Sequence, residues 1–338
     1  MIEEYVSLPK SIVESTQLAE ELLTRIFPDM EFVLQESQEC WRYLVRPCSH
    51  GALRHDPLLF DQLRSWLNLD PVAMFAWHQL RQPQGRIWLE AFQHSWALLA
   101  WSHWVATQKQ TLTPPLILHV DAHNDLGSSN LLATRTPGCF AAAVGDATMN
   151  FSSPESVARF IERGLIGIGN FLVPLLWTLP GCELFHVTRH PSTHTIAGIQ
   201  RYQLAALPAI FGSAYLSLAR PSPAPPPTDA VAVAPFTFCE VADLDQLAQL
   251  AQRDRPIFLD IDMDYFALLP SRNTATAMPT QEEVLALIAE FGRWLGRSGL
   301  RQHIAVVTVA YSPGFFPSAW LPMAVPALRN LLEMELQP

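Results

Sequence analysis

The sequence predicts an α/β protein with a mainly parallel sheet. Three short apolar runs have the length of buried strands: PLILHV (115–120), RPIFLDIDMDYF (255–266) and QHIAVVTVAYSPG (302–314). Continuous apolar runs of this kind are typical of strands that are covered on both faces. Amphipathic helical patterns lie between the runs, and an alternation of strands and helices indicates a parallel sheet flanked by helices.

Helical patterns occur in the first 110 residues and in two later segments. Most of the first 110 residues are predicted to be helical, and the tryptophan-rich segment RIWLEAFQHSWALLAWSHWVATQ (86–108) has apolar side chains at intervals of three and four residues, which predicts one buried helix. Two later helices carry amino-terminal signals. One follows Ser152 or Ser153, with Glu155 in its first turn, and the other follows Thr280.

Length and composition favour one large domain. The chain has 338 residues, of which 49% are hydrophobic, and this is enough for one large core. Residues 219–230, ARPSPAPPPTDA, are too rich in proline for a helix or a central strand. We therefore predict a single domain over residues 1–338, with a mainly helical part at 1–110 and a proline-rich surface loop at 219–230.

Charge and hydropathy argue against several classes of partner. The formal net charge is −10 and only 22 residues are basic, so we expect no surface that holds nucleic acid or an anionic membrane. The first residues are acidic where a secretory signal is basic, and the apolar stretches are too short or too interrupted by proline to cross a bilayer. A soluble, cytoplasmic protein that receives a cationic partner is expected. The oligomeric state stays open, with a homo-oligomer as one alternative.

Two rows of metal-ligating residues follow two of the predicted strands. DAHND (121–125) has two aspartates around a histidine at two-residue intervals, and DIDMD (260–264) has three aspartates at the same intervals. If the extended conformation persists, each row projects to one face at the carboxyl end of its strand, where open α/β sheets place their sites. The six residues are Asp121, His123, Asp125, Asp260, Asp262 and Asp264.

Metal binding is the simplest explanation of these rows. Five carboxylates and an imidazole at the ends of two buried strands would repel one another unless a cation neutralised them. Oxygen-rich ligation with an imidazole suits Mn²⁺, with Fe²⁺, Co²⁺ or Zn²⁺ as substitutes. This number of carboxylates is enough for two ions.

The two rows resemble the metal motifs of the ureohydrolases, the arginase and agmatinase group that shares its fold with the histone deacetylases. DAHND resembles their Asp-Ala-His-x-Asp signature, and DIDMD resembles their second Asp-x-Asp motif. The resemblance implies a three-layer α-β-α arginase/deacetylase-like fold and two Mn²⁺ ions. It also implies an upstream histidine ligand, and His94 takes that place, with His103 as the alternative.

The resemblance further implies a role for each ligand in the first row. Asp121 would bridge the two ions and His123 would bind one of them. Asp125 and His94 would complete the coordination of the other ion, and Asp125 would also relay a proton. His123 and Asp125 are therefore the catalytic candidates.

Alignment with the second motif of the ureohydrolases allows two registers for the second row, and each implies different ligands. In the first register, Asp262 is the bridging ligand, Asp264 is the terminal ligand, and Asp260 supports them without binding an ion. In the second register, Asp260 and Asp262 are the ligands. We prefer the first because Asp264 lies farthest toward the end of the strand.

Four segments within residues 90–317 together resemble a divergent family that includes the peptide arginases of ribosomal-peptide biosynthesis: HVDAHND, GIGNFLVPLLW, LDIDMDYF and YSPGF. That resemblance implies hydrolysis of arginine side chains in a precursor peptide to ornithine and urea. Ordinary arginases bind the guanidinium with a glutamate near the place of Ala310, so this chain needs another acceptor. The substrate-binding candidates are Asn170, His190, Tyr311 and Glu90.

Two other functions stay open at this point. An enzyme of the same fold could act on free arginine, agmatine, a formamide or an acetylated amine. The chain could instead be a metal-stabilised binding protein without turnover, which predicts metal-dependent stability but no product.

Overall fold

A computed structural model describes most of the chain. The described residues are 4–10, 14–26, 30–35, 39–47, 59–68, 76–108, 113–127, 131–134, 136–142, 147–189, 199–208, 214–219, 233–269 and 278–337. The predicted loop at 219–230 lies outside them, apart from Ala219.

Within these residues the chain forms fifteen strands and seven α-helices. The strands are β1 (Glu4–Pro9), β2 (Met30–Gln35), β3 (Cys40–Pro47), β4 (His78–Arg81), β5 (Ile87–Ala91), β6 (Leu116–Val120), β7 (Leu131–Ala133), β8 (Cys139–Ala142), β9 (Thr148–Asn150), β10 (Glu183–Val187), β11 (Ile199–Pro208), β12 (Ala214–Ala219), β13 (Val233–Val241), β14 (Ile257–Asp262) and β15 (Ile304–Ala310). The α-helices are α1 (Thr16–Ile26), α2 (Leu59–Leu67), α3 (Ala97–Thr107), α4 (Pro154–Glu162), α5 (Leu172–Thr178), α6 (Gln281–Arg297) and α7 (Leu321–Glu335). Short 3-10 segments cover Pro83–Gly85, His94–Trp96, Leu244–Gln252, Met263–Tyr265, Leu300–Gln302 and Ser318–Trp320. None of the helices in the described part of the chain combines the length and the apolar character that a membrane span requires.

The chain divides into two compact units. The first unit consists of Met1–Ser49, Asp125–Pro180 and Arg201–Phe236, and the second consists of His50–Asn124, Gly181–Gln200 and Thr237–Pro338. The first unit contains antiparallel strands in the orders β1-β3-β2 and β11-β12-β7-β8-β9.

The second unit contains the large sheet that the sequence predicts. Seven strands follow the order β4-β5-β15-β14-β6-β10-β13. All neighbours from β5 to β13 are parallel, and only β4 runs antiparallel, beside β5. The prediction of an α/β protein with a mainly parallel sheet is therefore confirmed.

Helices cover both faces of this sheet. Every residue of β6 and β14 is buried, and alternate residues point to opposite faces. Leu118 and Leu259 pack in the core that α6 and α7 close. Phe258 points the other way, with its ring centroid 6.1 Å from that of Trp101 and 5.0 Å from that of Trp104 on α3. This arrangement is compatible with the predicted three layers.

The two predicted helix starts are confirmed by their caps. At α4, the Ser153 hydroxyl accepts the Ser156 N–H at 3.3 Å. At α6, the Thr280 hydroxyl accepts the Glu283 N–H at 3.2 Å, and the Glu283 carboxylate accepts the Thr280 N–H at 2.6 Å. Both caps satisfy amide groups that have no partner inside the helix.

In the described part of residues 1–110 the chain is a mixture of helices and strands, so the prediction of a mainly helical segment is not met there. Five strands, β1 to β5, lie among them, and the segment 86–108 is divided into β5, a 3-10 turn and α3. A short apolar run fits a strand and a buried helix equally well by periodicity. Residues 87–91 form a strand because they pair with β4 and β15. These partners are distant in the sequence, so the local pattern does not reveal them.

Candidate metal centre

Metal-ligating side chains gather at the carboxyl ends of two neighbouring strands of the second unit. β6 and β14 pair in parallel, with Asp260 opposite His119. Asp121 follows the last residue of β6, and Asp262 is the last residue of β14. The 3-10 turn that follows β5 brings His94 to the same place. Parallel pairing thus joins parts of the chain that lie far apart in the sequence.

We call His94, His119 and Asp121 the inner group. Each offers one ligand atom, and these atoms lie within 4.8 Å of one another. His94 Nδ1 lies 3.1 Å from Asp121 Oδ2, and His119 Nε2 lies 3.4 Å from the same oxygen. All three side chains are buried. Two nitrogens and one oxygen therefore converge in an environment from which water is excluded.

Asp260 orients both imidazoles of the inner group. His94 Nε2 lies 3.0 Å from each carboxylate oxygen, and His119 Nδ1 lies 2.8 Å from Oδ2. Burial raises the pKa of Asp260, but the charge of His94 and hydrogen bonds from His119 and His94 lower this pKa to about 2. The ionised carboxylate only accepts, so both of these ring nitrogens donate. The opposite nitrogens are then turned toward Asp121.

The inner group fits a divalent metal ion. Asp121 Oδ2 is buried and accepts no hydrogen bond of normal geometry from the described residues, although imidazole nitrogens lie at 3.1 and 3.4 Å. His119 Nε2 also lies 3.1 Å from the carbonyl oxygen of His123. A buried carboxylate oxygen and the two imidazole nitrogens that face it need a positive charge between them. This charge is either a second proton on each ring or a metal ion. The inner group could therefore hold a metal ion.

Asp121, His123 and Asp264 form the outer group, whose ligand atoms also lie within 4.8 Å of one another. His123 Nδ1 lies 2.9 Å from Asp264 Oδ2 and 3.6 Å from Asp121 Oδ1. Asp121 Oδ1 accepts the His123 N–H at 2.6 Å, and Asp264 Oδ1 accepts the Ala122 N–H at 3.1 Å. The His123 side chain is 47% exposed. The outer group therefore opens to solvent, and it shares Asp121 with the inner group.

Asp262 lies between the two groups. Its Oδ1 accepts the Asp264 N–H at 3.0 Å, and its Oδ2 accepts the Ser312 hydroxyl at 2.5 Å. The same Oδ2 lies 3.0 Å from His94 Nδ1. Ser312 has a φ of 43°, a left-handed conformation that is uncommon outside glycine. The backbone after β15 therefore has an unusual conformation at Ser312, the residue whose hydroxyl binds the Asp262 carboxylate.

The second row leaves the strand earlier than predicted. β14 ends at Asp262, and residues 263–265 form a 3-10 turn, so the expectation that Asp264 continues the extended face is wrong. The Asp262 carboxylate caps this turn. The turn brings Asp264 to His123, while Asp260 stays behind the inner imidazoles. The positions of Asp264 and Asp260 agree with the preferred register, whereas Asp262, its bridging ligand, belongs to neither ligand group.

Neighbouring groups in the cluster have pKa values shifted in opposite directions. Burial, followed by the charges of Asp262 and Asp121, raises the pKa of Asp264 well above its usual range. Burial also raises the pKa of Asp121, but the charge of His119 and contacts with His123 and His94 bring it well below its usual value. Bonds to Asp121 and Asp264 raise the pKa of His123 to about 11. Opposed shifts of this kind concentrate at functional sites.

His186 continues the buried polar row across the sheet. It lies opposite His119 in the β6–β10 register and opposite Glu240 in the β10–β13 register. Its Nε2 donates to the carbonyl oxygen of Asp121 at 3.1 Å, and its Nδ1 lies 3.9 Å from Glu240 Oε1. Burial lowers the pKa of His186 to about 4, so the ring is neutral at pH 7. His186 therefore fixes the backbone of Asp121.

Asp125 belongs to the first unit and to neither ligand group. The expectation that it shares an extended face with Asp121 and His123 is wrong, because β6 ends at Val120 and Asp125 has a φ of 47°. Short polar residues such as aspartate tolerate this conformation where a strand turns into a loop. Its roles as a ligand and a proton relay stay predictions.

Two of the substrate-binding candidates bind each other. The Tyr311 hydroxyl donates to Glu90, and Glu90 also accepts Trp88 Nε1 at 2.9 Å and Arg81 Nη2 at 3.1 Å. Arg329 donates to the same carboxylate through Nε at 3.0 Å and Nη2 at 2.5 Å. These donors occupy the lone pairs of both oxygens. Glu90 is therefore committed to a local ion-pair cluster.

The other two substrate candidates lie elsewhere. Asn170 is in the first unit, where its side-chain oxygen accepts the Gly167 N–H at 3.1 Å within a turn. His190 lies outside the described residues. Their contacts with a substrate stay predictions.

His94 takes the place predicted for it, and His103 belongs to neither ligand group among the described residues. His119 is absent from the predicted ligands. His119 is the one polar residue of LILHV. It lies two positions before Asp121, and His123 lies two positions after Asp121. The spacing of His119, Asp121 and His123 is therefore the signal that could have identified it.

No protein-family model matches the chain, and a search of curated proteins found no relative.

Proposed function

We propose that the chain is a binuclear metal hydrolase that converts arginine side chains of a precursor peptide to ornithine and urea. The proposal is carried by the sharing of Asp121 between two ligand groups. Adjacent divalent ions in one site are typical of hydrolases that activate water. The resemblance of DAHND and DIDMD to the ureohydrolase motifs selects the guanidinium as the group attacked. Mn²⁺ is the expected metal, since carboxylates dominate the outer group.

The residues of the two groups would divide the work as follows. His94, His119 and Asp121 would hold one ion, and Asp121, His123 and Asp264 would hold the other. When bound, the ions supply a water of lowered pKa as the nucleophile. The net charge of −10 on the chain favours the approach of a cationic side chain. Asp264 orients the half-exposed His123, whose imidazole would then serve as a ligand of that ion.

The reaction adds water across one carbon–nitrogen bond. The water oxygen joins the guanidinium carbon of arginine, and the bond from that carbon to Nε breaks. The carbon leaves in neutral urea, and the nitrogen left on the side chain takes both protons of the water and becomes the ammonium of ornithine. The positive charge therefore passes from guanidinium to ammonium, which is protonated at neutral pH.

A second candidate reaction is hydrolysis of an acylated amine by the same centre. The observation that favours it is the commitment of Glu90 to Arg329, Arg81 and Tyr311, which leaves this carboxylate unable to bind a guanidinium. An acylated amine is neutral and needs no such carboxylate. The two reactions release different products, urea or a carboxylate.

The test is urea release from protein loaded with Mn²⁺. The substrates are free arginine, agmatine, arginine-containing peptides and acetyl-lysine peptides, and mass spectrometry follows each peptide. We expect urea and loss of one carbon and two nitrogens from peptidyl arginine. Asp121→Asn should reduce the rate by at least about 10²-fold, because it removes a ligand of both groups.

Asp254→Asn is the matched control, because Asp254 is exposed and belongs to neither group. Its rate should equal that of the wild type. Acetate release without urea would replace the arginase proposal by the deacylase reaction. Full activity of Asp121→Asn would contradict both.

A further inference from the structure

The two ligand groups differ in donor chemistry. The inner group offers two imidazole nitrogens and one carboxylate, whereas the outer group offers two carboxylates and one imidazole. All inner side chains are buried, while the outer histidine is 47% exposed. Imidazole suits the later divalent metals such as Zn²⁺, and carboxylates suit Mn²⁺. The two positions therefore differ both in preferred metal and in access.

The inner group is also the more rigidly held. Asp260 accepts from both inner imidazoles at 2.8–3.0 Å, and the Thr308 hydroxyl donates to Asp260 in turn. The rings of His94 and His119 stack with centroids 5.3 Å apart and an interplanar angle of 23°. A carboxylate behind a ligating imidazole fixes its tautomer and makes it a better ligand. Here the single carboxylate of Asp260 fixes the tautomers of both His94 and His119.

We infer that the centre holds two unlike ions: a tightly bound, imidazole-preferring ion of the Zn²⁺ type in the inner group and an exchangeable Mn²⁺ in the outer group. Asp260 is the positioning residue that makes the inner group selective. The inference rests on the proposed binuclear centre and revises its expectation of two Mn²⁺ ions. It concerns binding alone and requires no substrate.

The test measures metal content and affinity in the absence of substrate. Chelator-stripped protein is dialysed against a buffered trace of free Zn²⁺ and a large excess of free Mn²⁺, because Zn²⁺ binds any such site more tightly at equal concentration, and bound metal is counted by mass spectrometry. We expect one Zn²⁺ and one Mn²⁺ per chain. Subsequent dialysis against metal-free buffer should remove the outer Mn²⁺ and leave the inner Zn²⁺ in place.

Three variants assign the positions. His119→Gln and Asp260→Asn should each weaken binding of the Zn²⁺ ion by about 10–100-fold and leave Mn²⁺ binding within about twofold. His123→Gln is the matched control, since it removes the histidine of the outer group and should weaken Mn²⁺ alone. One equivalent of Co²⁺ gives a second readout, because its visible spectrum should change in His119→Gln and not in His123→Gln.

Two results would overturn the inference. One is equal loss of both ions from the wild type during dialysis against metal-free buffer, which needs no variant to fold. The other is loss of the tight ion in His123→Gln with its retention in His119→Gln. Urea release by a protein with two equivalent Mn²⁺ ions would reject the inference and keep the proposed function. Unlike ions in a protein that releases no urea would do the reverse.

Discussion

At the scale of single residues, Glu90 shows how a buried charge is stabilised in this chain. Its carboxylate accepts hydrogen bonds from Arg81 on β4, from Tyr311 just after β15 and from Arg329 on α7. The hydrogen bonds from Arg329 and Tyr311 outweigh the effect of burial and lower the pKa of Glu90 below its ordinary value. Removal of this carboxylate would leave its cationic partners without their counter-charge, and this lowers the stability of the fold.

Glu90→Gln should lower the free energy of unfolding by about 2–4 kcal/mol, because it leaves Arg329 facing a neutral amide. The lower part of this range is expected, since the Arg329 side chain is 35% exposed and keeps some water. Denaturant unfolding of the chelator-treated protein measures the change.

Glu333→Gln is the matched control. Glu333 pairs with the same Arg81 at 2.7 Å, but both side chains are exposed, so the loss should stay below about 1 kcal/mol. Equal losses in the two variants would show that burial does not decide the effect.

At the scale of elements, the packing of α6 on α7 depends on glycine. A Cβ atom at Gly292 would lie 2.2–2.4 Å from three side-chain carbons of Leu331, so the two helices approach where no side chain intervenes. One turn later, a Cβ at Gly296 would meet the carboxylate of Glu335 at 2.1 Å. Leu331 is packed against the core cluster, whereas the Glu335 carboxylate is the end of a long polar side chain. The same helix therefore has one restricted glycine and one replaceable glycine.

Gly292→Ala should lower the free energy of unfolding by about 1–2 kcal/mol, since overpacking costs more than the helix propensity gained. Gly296→Ala should raise it by up to about 1 kcal/mol, because Glu335 can move aside and the propensity gain remains. Thermal or denaturant unfolding of both variants checks the sign. Stabilisation by both substitutions would contradict the proposed close contact.

At the scale of the whole molecule, stability should depend on pH through a buried neutral histidine. Burial lowers the pKa of His186 to about 4, while an unfolded histidine has a pKa near 6.5. Between these values the unfolded state takes up a proton that the folded state does not. The stabilisation is therefore complete above about pH 6.5 and is lost as the pH falls toward 4.

Between pH 7.5 and pH 5, His186 should account for a loss of about 2 kcal/mol in the free energy of unfolding. The comparison uses urea unfolding of the metal-free wild type and of His186→Gln. The variant should lose less stability over the same range by that amount. An identical pH dependence in the two proteins would refute the assignment.

The sequence predicts the centre where the chemistry is local. Residues 121–125 and 260–264 stand out because carboxylates after apolar runs are unusual, and Asp121 and Asp264 are both found in the ligand groups. The caps at Ser153 and Thr280 were predictable for the same reason, since each depends on side chains within three residues. Local rules predict these features because their partners are close in the sequence.

Other features depend on partners that are distant in the sequence. His119 looks like a core histidine until Asp260 is placed opposite it on the neighbouring strand. Asp125 follows the alternation of a strand only while ladder bonds hold the backbone, and those end at Val120. β5 resembles the helix that follows it until β15 pairs with it. Register and strand ends are set by tertiary contacts, so periodicity alone cannot predict them.

The parallel pairing of β6 with β14 has a consequence for biosynthesis. His119 and its anchor Asp260 are 141 residues apart. At ordinary rates of translation, about 7–28 s separate their emergence from the ribosome. During that interval His119, Asp121 and His123 are already synthesised without the strand that orients them. A nascent chain in this state would bind metal weakly and without selectivity, so loading of the centre must wait until β14 has been made and has paired with β6.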